Sequence, residues 1–190
     1  MDGVRTLSLF SGAGGLDLGF HQAGFEIIKA VEIDERFSNV MRANIGEGLV
    51  FGEKTQAITA DVRDFKPEGL GEIDWIIGGP PCQTFSAAGR RASGVLGTDD
   101  PRGLLFEEYV EIVKQLKPRG FLYENVYGLV GAEGGEPWSQ IKKGFSEAGY
   151  ELFHRVLDSA DYGVPQHRER LIMVGLREGE FKFPKPTHGA

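Results

Sequence analysis

The sequence has 190 residues, 41% hydrophobic and 26% charged, with a formal net charge of −7; these are the proportions of one soluble globular domain. The acidic balance argues against a stand-alone, non-specific nucleic-acid binder, whose phosphate contacts rest on Lys and Arg, although a local basic surface stays possible. A single cysteine excludes an intrachain disulfide framework and a cysteine-rich zinc site, and no basic-then-apolar leader or membrane-length apolar run is evident, so a soluble, cytoplasmic protein is expected.

In chain order, residues 6–10 (Thr-Leu-Ser-Leu-Phe) read as a first short buried strand. Ser11, Gly12, Ala13, Gly14 and Gly15 make a tight glycine-rich turn. Leu16, Leu18, Phe20 and Ala23 then have helical spacing, and Gly24 ends that helix. Residues 25–31 form a second strand with Glu32, Ile33 and Asp34 at its end, and a helix is expected over 36–44. A third strand, 56–60, ends in Asp61 and Val62. The apolar run 73–77 is a fourth strand, stopped by Gly78-Gly79-Pro80-Pro81 just before Cys82 and Gln83.

The polar stretch 84–101 is longer than an ordinary connection, which suggests a functional loop. Leu104, Leu105, Tyr109, Ile112, Val113 and Leu116 predict a helix, punctuated by Pro118. Residues 120–123 are a fifth strand ending in Glu124-Asn125-Val126. Trp138, Ile141, Phe145 and Ala148 predict another helix, with Gly149 as its stop. Residues 150–157 and 171–176 are the sixth and seventh strands. Residues 1–178 thus form one domain, and 179–190, with Pro184 and Pro186, form a linker or docking tail. Strands alternating with helices predict an α/β fold, a mainly parallel sheet with helices on both faces.

The polar residues of interest fall just after successive strands, where open α/β sheets bind ligands. The glycine turn lacks the phosphate-loop pattern and only loosely matches a dinucleotide fingerprint; it is either a tight strand-to-helix turn or a place where backbone approaches an anionic group. Glu32 is placed to accept from ribose hydroxyls, Ile33 to cover a purine face and Asp61 to accept from an exocyclic amine; taken singly each carboxylate reads first as a surface residue, whereas the three in strand order favour a nucleoside cofactor. Cys82 is either a nucleophile on a stiff loop or a small buried hydrophobe. Arg168 and Arg170 alternate to one side before the last strand, as a pair of site cations or as a solvated charge run. The four histidines, His21, His154, His167 and His188, lack metal-ligand spacing, and no metal is assigned.

Taken together and in order, these segments resemble the DNA (cytosine-5) methyltransferase family. The matching stretches are residues 10–15 (Phe10 to Gly15), Glu32-Ile33-Asp34 with Asp61, Pro80-Pro81-Cys82-Gln83, residues 100–106, Glu124-Asn125-Val126, and residues 162–170 with Gln166-x-Arg168-x-Arg170. The resemblance implies a Rossmann-like, S-adenosylmethionine-dependent methyltransferase with a mostly parallel seven-stranded sheet. Its cofactor would lie against Phe10, Ser11, Gly12, Ala13, Gly14, Gly15, Leu16, Glu32, Ile33, Asp61, Val62, Gly79, Pro80 and Leu105.

The resemblance further implies that Cys82 attacks carbon 6 of a cytosine flipped from duplex DNA, and that Glu124 contacts ring nitrogen 3 and the exocyclic amine. Arg170 would hold the ring carbonyl and Arg168 would support the site through Glu124. Gln83, Ser86, Arg90, Asn125, Val126 and Gln166 would touch the substrate. The setting implied is a prokaryotic cytosol or nucleoid, and a restriction-modification system.

Family members continue into a target-recognition domain and closing cofactor motifs, which this sequence does not contain. The expectation is therefore one subunit of a split enzyme, or a fragment, that needs a second polypeptide for recognition. An RNA (tRNA) cytosine methyltransferase and a non-catalytic regulatory homologue are the alternatives; the intact Cys82, Glu124 and Arg170 set argues against the second.

Overall fold

The computed structural model describes residues 3–81 and 105–189. Val4–Leu9 (β1), Phe25–Glu32 (β2), Gln56–Thr59 (β3), Trp75–Gly78 (β4), Gly120–Val126 (β5), Glu151–Asp158 (β6) and Glu169–Leu176 (β7) join in one seven-stranded sheet. The order is β3-β2-β1-β4-β5-β7-β6. The first five strands run parallel, whereas β7 lies antiparallel between β5 and β6. The reversal follows from chain length. The connection 159–168 is too short for a parallel crossover, so β6 and β7 pair as a hairpin.

Gly15–Gln22 (α1), Glu35–Arg42 (α2), Leu105–Leu116 (α3) and Glu136–Glu147 (α4) cover the sheet. Adjacent strand residues point to opposite faces, and the two cores divide accordingly. Ile76 joins Leu7, Leu9, Tyr109, Phe121, Tyr123 and Phe145 under α3 and α4. Its neighbour Ile77 joins Ile27, Ala30, Met41 and Phe51 under α1 and α2. The larger core is aromatic: Phe121 stacks on Phe145 at 4.2 Å, and Tyr109 meets Tyr123 edge-on at 5.7 Å. Buried Tyr109 keeps its hydroxyl satisfied by donating to the Leu122 carbonyl at 2.8 Å.

The residues expected as a tail fold back against β6. Phe181 meets Phe153 and Phe183, and Arg155 lies 5.3 Å from the Phe183 ring centre. Tyr162 donates to the Pro184 carbonyl at 3.1 Å, and the Thr187 and His188 amides both donate to Asp161 O at 2.9 Å. Among the described residues no helix is long and apolar enough to cross a membrane.

Two features of the fold place the site. The strand order reverses between β1 and β4, which opens a crevice at their carboxyl ends. β1 also stops one residue earlier than expected, because Phe10 takes a φ of 55° and throws the chain into the glycine turn. A positive φ on an aromatic residue is strained, and such strain concentrates at ligand sites.

Candidate active site

At that crevice lies a cavity of about 500 Å³, well within the range of small-ligand sites. Its walls come from the ends of four strands and from α3. Phe10 and Gly12 follow β1, Glu32 ends β2 with Ile33 and Asp34 after it, Ala60 to Arg63 follow β3, Gly79 and Pro81 follow β4, and Leu105 opens α3. Eight positions expected at a cofactor from the sequence, Phe10, Gly12, Glu32, Ile33, Asp61, Val62, Gly79 and Leu105, thus share one cavity. Ser11, Ala13 and Gly14 form the adjoining turn, in which Gly14 N donates to Ser11 O at 3.0 Å, and Gly15 opens α1. Leu16 packs instead on the apolar cluster under α1. Buried Pro80 does not line the cavity; the neighbouring Pro81 does.

Glu32 organises this end. One carboxylate oxygen accepts from Gly12 N and the other from Asp34 N, both at 2.8 Å. The side chain therefore ties the glycine turn to the end of β2. Each oxygen keeps a further lone pair for a diol. Ile33 is 63% exposed, an apolar surface with a ligand-sized space beside it. Asp61 is held by Arg63, whose backbone amide and guanidinium both bond its carboxylate, and this keeps the Asp61 carboxyl below its ordinary range. The Arg63 guanidinium is half exposed, so a ligand amine can displace it toward water. A nucleoside-containing cofactor fits these walls: acceptors where a ribose would lie, and apolar surface from Ile33, Val62 and Leu105 for a base.

Next to the cavity, at the ends of β5 and β7, sits a carboxylate–arginine pair. Glu124 lies opposite Ile172 and Val126 opposite Arg170, so Arg170 is the diagonal neighbour of Glu124 on one face of the sheet. Arg170 Nε donates to Glu124 Oε1 at 2.9 Å, and Nη1 donates to its neighbour's carbonyl, Glu169 O, at 2.8 Å. Burial pushes the Glu124 carboxyl above its ordinary range, while the charges of Arg170 and Arg168 pull it back. Gly79 makes room for this carboxylate, since a Cβ there would stand 2.7 Å from Glu124 Oε2. The glycine after β4 is therefore more than a strand stop.

The pairing differs from the expectation that Arg168 would act through Glu124. Arg168 precedes β7 and is exposed, with only a long-range pull on Glu124; Arg170 lies inside the ladder and makes the contact. Asn125, expected at the substrate, is turned inward and is 4% exposed. Its Nδ2 donates to Pro80 O and to the Tyr123 hydroxyl, each at 3.1 Å, and its Oδ1 accepts from Val126 N at 2.8 Å. It thus fastens the end of β5 to the proline segment that leads to Cys82. Val126 is half-buried and Gln166 exposed. Cys82, Gln83, Ser86 and Arg90, with the loop 84–101, lie outside the described residues.

One buried acid escaped the sequence reading. Asp17, in the first turn of α1, is fully buried, and among the described residues neither carboxylate oxygen has a hydrogen-bond partner. Burial pushes its carboxyl up to about 6, and nearby Ser8 and its own backbone amide offset only part of that. An acidic residue in a first helical turn ordinarily signals a favourable dipole contact at the surface, which hides such a case.

A sheet of this order with its cavity across the β1–β4 switch is that of the Rossmann-like methyltransferases. Comparison with known proteins narrows the class. Residues 4–188 match the family described as C-5 cytosine-specific DNA methylase, and the chain belongs to that family. The type II methyltransferase M.FnuDI of Fusobacterium nucleatum is 46% identical over 187 residues, covering 96% of this chain and 51% of that protein. M.AquIA of Picosynechococcus sp. is 43% identical over 195 residues, covering 97% of this chain and 77% of that protein.

Among solved structures, the Dnmt2 methyltransferase of S. pombe shares the fold with a TM-score of 0.69 at 21% identity, over 94% of this chain and 51% of that one. The chain spans about half the length of most relatives it matches. The family's methyl donor is S-adenosylmethionine, and the cavity has the donors, acceptors and apolar walls to hold its nucleoside.

Proposed function

We propose that this chain is the cofactor-binding and catalytic part of a DNA cytosine-5 methyltransferase that works through a covalent bond from Cys82 to a flipped cytosine. The observation that carries the reading is the Glu124–Arg170 pair. It stands against Gly79, three residues before the only cysteine, and beside the nucleoside-sized cavity.

Carbon 5 of cytosine is a poor nucleophile. Addition of the Cys82 thiolate at carbon 6 makes the ring an enamine, nucleophilic at carbon 5. When bound, S-adenosylmethionine supplies an electrophilic methyl group. Glu124 faces ring nitrogen 3 and the exocyclic amine. Burial shifts its carboxyl toward the protonated form, the direction needed to share a proton with the ring as charge moves onto it. Arg170 fixes the orientation of Glu124 and presents cationic N–H groups to the ring carbonyl. Loss of the carbon 5 proton then lets Cys82 leave.

Flipping is required because the stacked duplex shields carbon 6. Gln83, Ser86 and Arg90 are assigned to the DNA side on the sequence resemblance. Choice of a target sequence falls to residues beyond this sequence, on the same polypeptide or on a partner chain.

The test is methyl transfer. The chain is combined with the portion of M.FnuDI that it does not cover, then given labelled S-adenosylmethionine and duplex DNA. Label recovered as 5-methylcytosine, and lost in Cys82→Ala, supports the reading. Label on RNA alone, or none with any nucleic acid, overturns it.

A further inference from the structure

The connection between β6 and β7 carries Gln166, His167 and Arg168, and it delivers Arg170 to Glu124. One carboxylate holds both of its ends. Asp158, the last residue of β6, accepts through Oδ1 from Ala160 N at 3.1 Å and from Arg168 N at 2.9 Å. Its Oδ2 pairs with His167 Nδ1 at 2.8 Å. Ser159 completes the closure: its amide donates to Arg168 O at 3.2 Å and its hydroxyl to Gln166 O at 2.9 Å. Both Asp158 oxygens are thus used on protein partners, and none of its bonds reaches the cavity. Asp158 and Glu169 face each other across the ladder, so the carboxylate closes the hairpin one step before the arginine that meets Glu124.

We propose that Asp158 is a positioning residue for the arginine pair, holding the start of β7 through the Arg168 amide and the His167 ring so that Arg170 meets Glu124 in register. The proposal rests on the cytosine-methylation reading, because positioning matters only if the Glu124–Arg170 pair acts on substrate. The contacts themselves do not depend on it. The groups facing His167 are Asp158, Asp161 and Glu169. The hydrogen bond that the His167 ring donates to Asp158 is the main reason the imidazole titrates above its ordinary value, and the same bond, with the Arg168 and Ala160 amides, holds the Asp158 carboxyl below its own.

Two variants in the complemented enzyme separate positioning from bulk stability. Asp158→Ala removes every acceptor. Asp158→Asn keeps an oxygen for the Arg168 and Ala160 amides but loses the charge opposite His167. Misplacing a catalytic group by an ångström costs about a hundredfold in rate. The expected result is therefore a fall of that order in kcat for Asp158→Ala with the cofactor KM unchanged, and recovery of most of it in Asp158→Asn.

NMR titration of His167 in the isolated chain supplies an independent readout: a raised imidazole pKa in the wild type that falls toward the ordinary value in both variants, Asp161 and Glu169 remaining beside the ring. A wild-type kcat in Asp158→Ala overturns the proposal, as does an Asp158→Asn as impaired as Asp158→Ala, or a His167 that titrates normally in the wild type. Absence of any cytosine methylation by the wild-type enzyme removes the functional reading, and the positioning role with it. The His167 titration distinguishes that failure from a missing clamp.

Discussion

Asp17→Asn removes a buried charge that the fold compensates only in part. The folded carboxyl titrates at about 6 against an ordinary 3.8, a difference of about 2 pH units, so the ionised form costs ~3 kcal/mol in the folded state. The sign follows from the direction of the shift. A carboxyl raised on folding favours the folded state at low pH, and that contribution is lost as pH rises from 3.8 toward 6. At pH 8 the full penalty applies; at pH 4.5 the same linkage leaves only about 1 kcal/mol.

An asparagine amide keeps the shape and can reach Ser8, but it carries its own desolvation cost, so the net gain at pH 8 is about 1–3 kcal/mol. For a chain of this size that is roughly 2–4 °C per kcal/mol. Urea denaturation of both proteins at pH 4.5 and pH 8 measures it. The variant should be the more stable at pH 8, and its advantage should shrink by most of 2 kcal/mol at pH 4.5, about the difference between the two penalties. A difference that does not change with pH would refute the assignment of a buried Asp17 whose charge the fold only partly offsets.

Other outcomes follow from the site. Gly79→Ala forces a methyl group to within 2.7 Å of Glu124 Oε2; activity should fall by at least about a hundredfold while thermal stability changes little, and full activity would show that the Glu124 carboxylate does not work where it stands. Glu32→Ala frees the Gly12 and Asp34 amides and removes the ribose acceptor. Calorimetry should show cofactor affinity down by roughly 1.5–3 kcal/mol, about ten- to a hundredfold, and unchanged affinity would remove Glu32 from the cofactor site. Arg170→Ala removes the main charge that pulls the Glu124 carboxyl down, so carbon-13 NMR should show it titrating higher still; a downward move would contradict the pairing.

Much of the fold was legible because the strands are apolar runs punctuated by glycine and proline, and because alternation with helices admits few topologies. The five parallel strands and the carboxylates at the ends of β2 and β3 follow from that pattern. What was not legible depends on which strand lies beside which. The hairpin of β6 and β7 inserts β7 next to β5, and only that register makes Arg170, not Arg168, the partner of Glu124. Asn125 reads as a polar residue at a strand end, but the ladder turns it inward onto Pro80. Asp158 and Asp17 stand in no motif; one holds a connection together and the other is buried with both carboxylate oxygens short of a hydrogen-bond partner among the described residues. Phe10 looks like the last residue of β1, yet its positive φ makes it the first residue of the glycine turn.

The central claim is that Cys82 forms a covalent bond to a cytosine held by Glu124 and Arg170. Duplex DNA carrying 5-fluorocytosine blocks the final elimination, so the complemented enzyme with S-adenosylmethionine should give a denaturant-resistant protein–DNA adduct. Mass spectrometry of the digested adduct should place the bond on Cys82. The adduct should be absent in Cys82→Ala and strongly reduced in Glu124→Gln and Arg170→Ala. An adduct that survives Cys82→Ala, or that forms on 5-fluorocytosine RNA and not on DNA, would contradict the account.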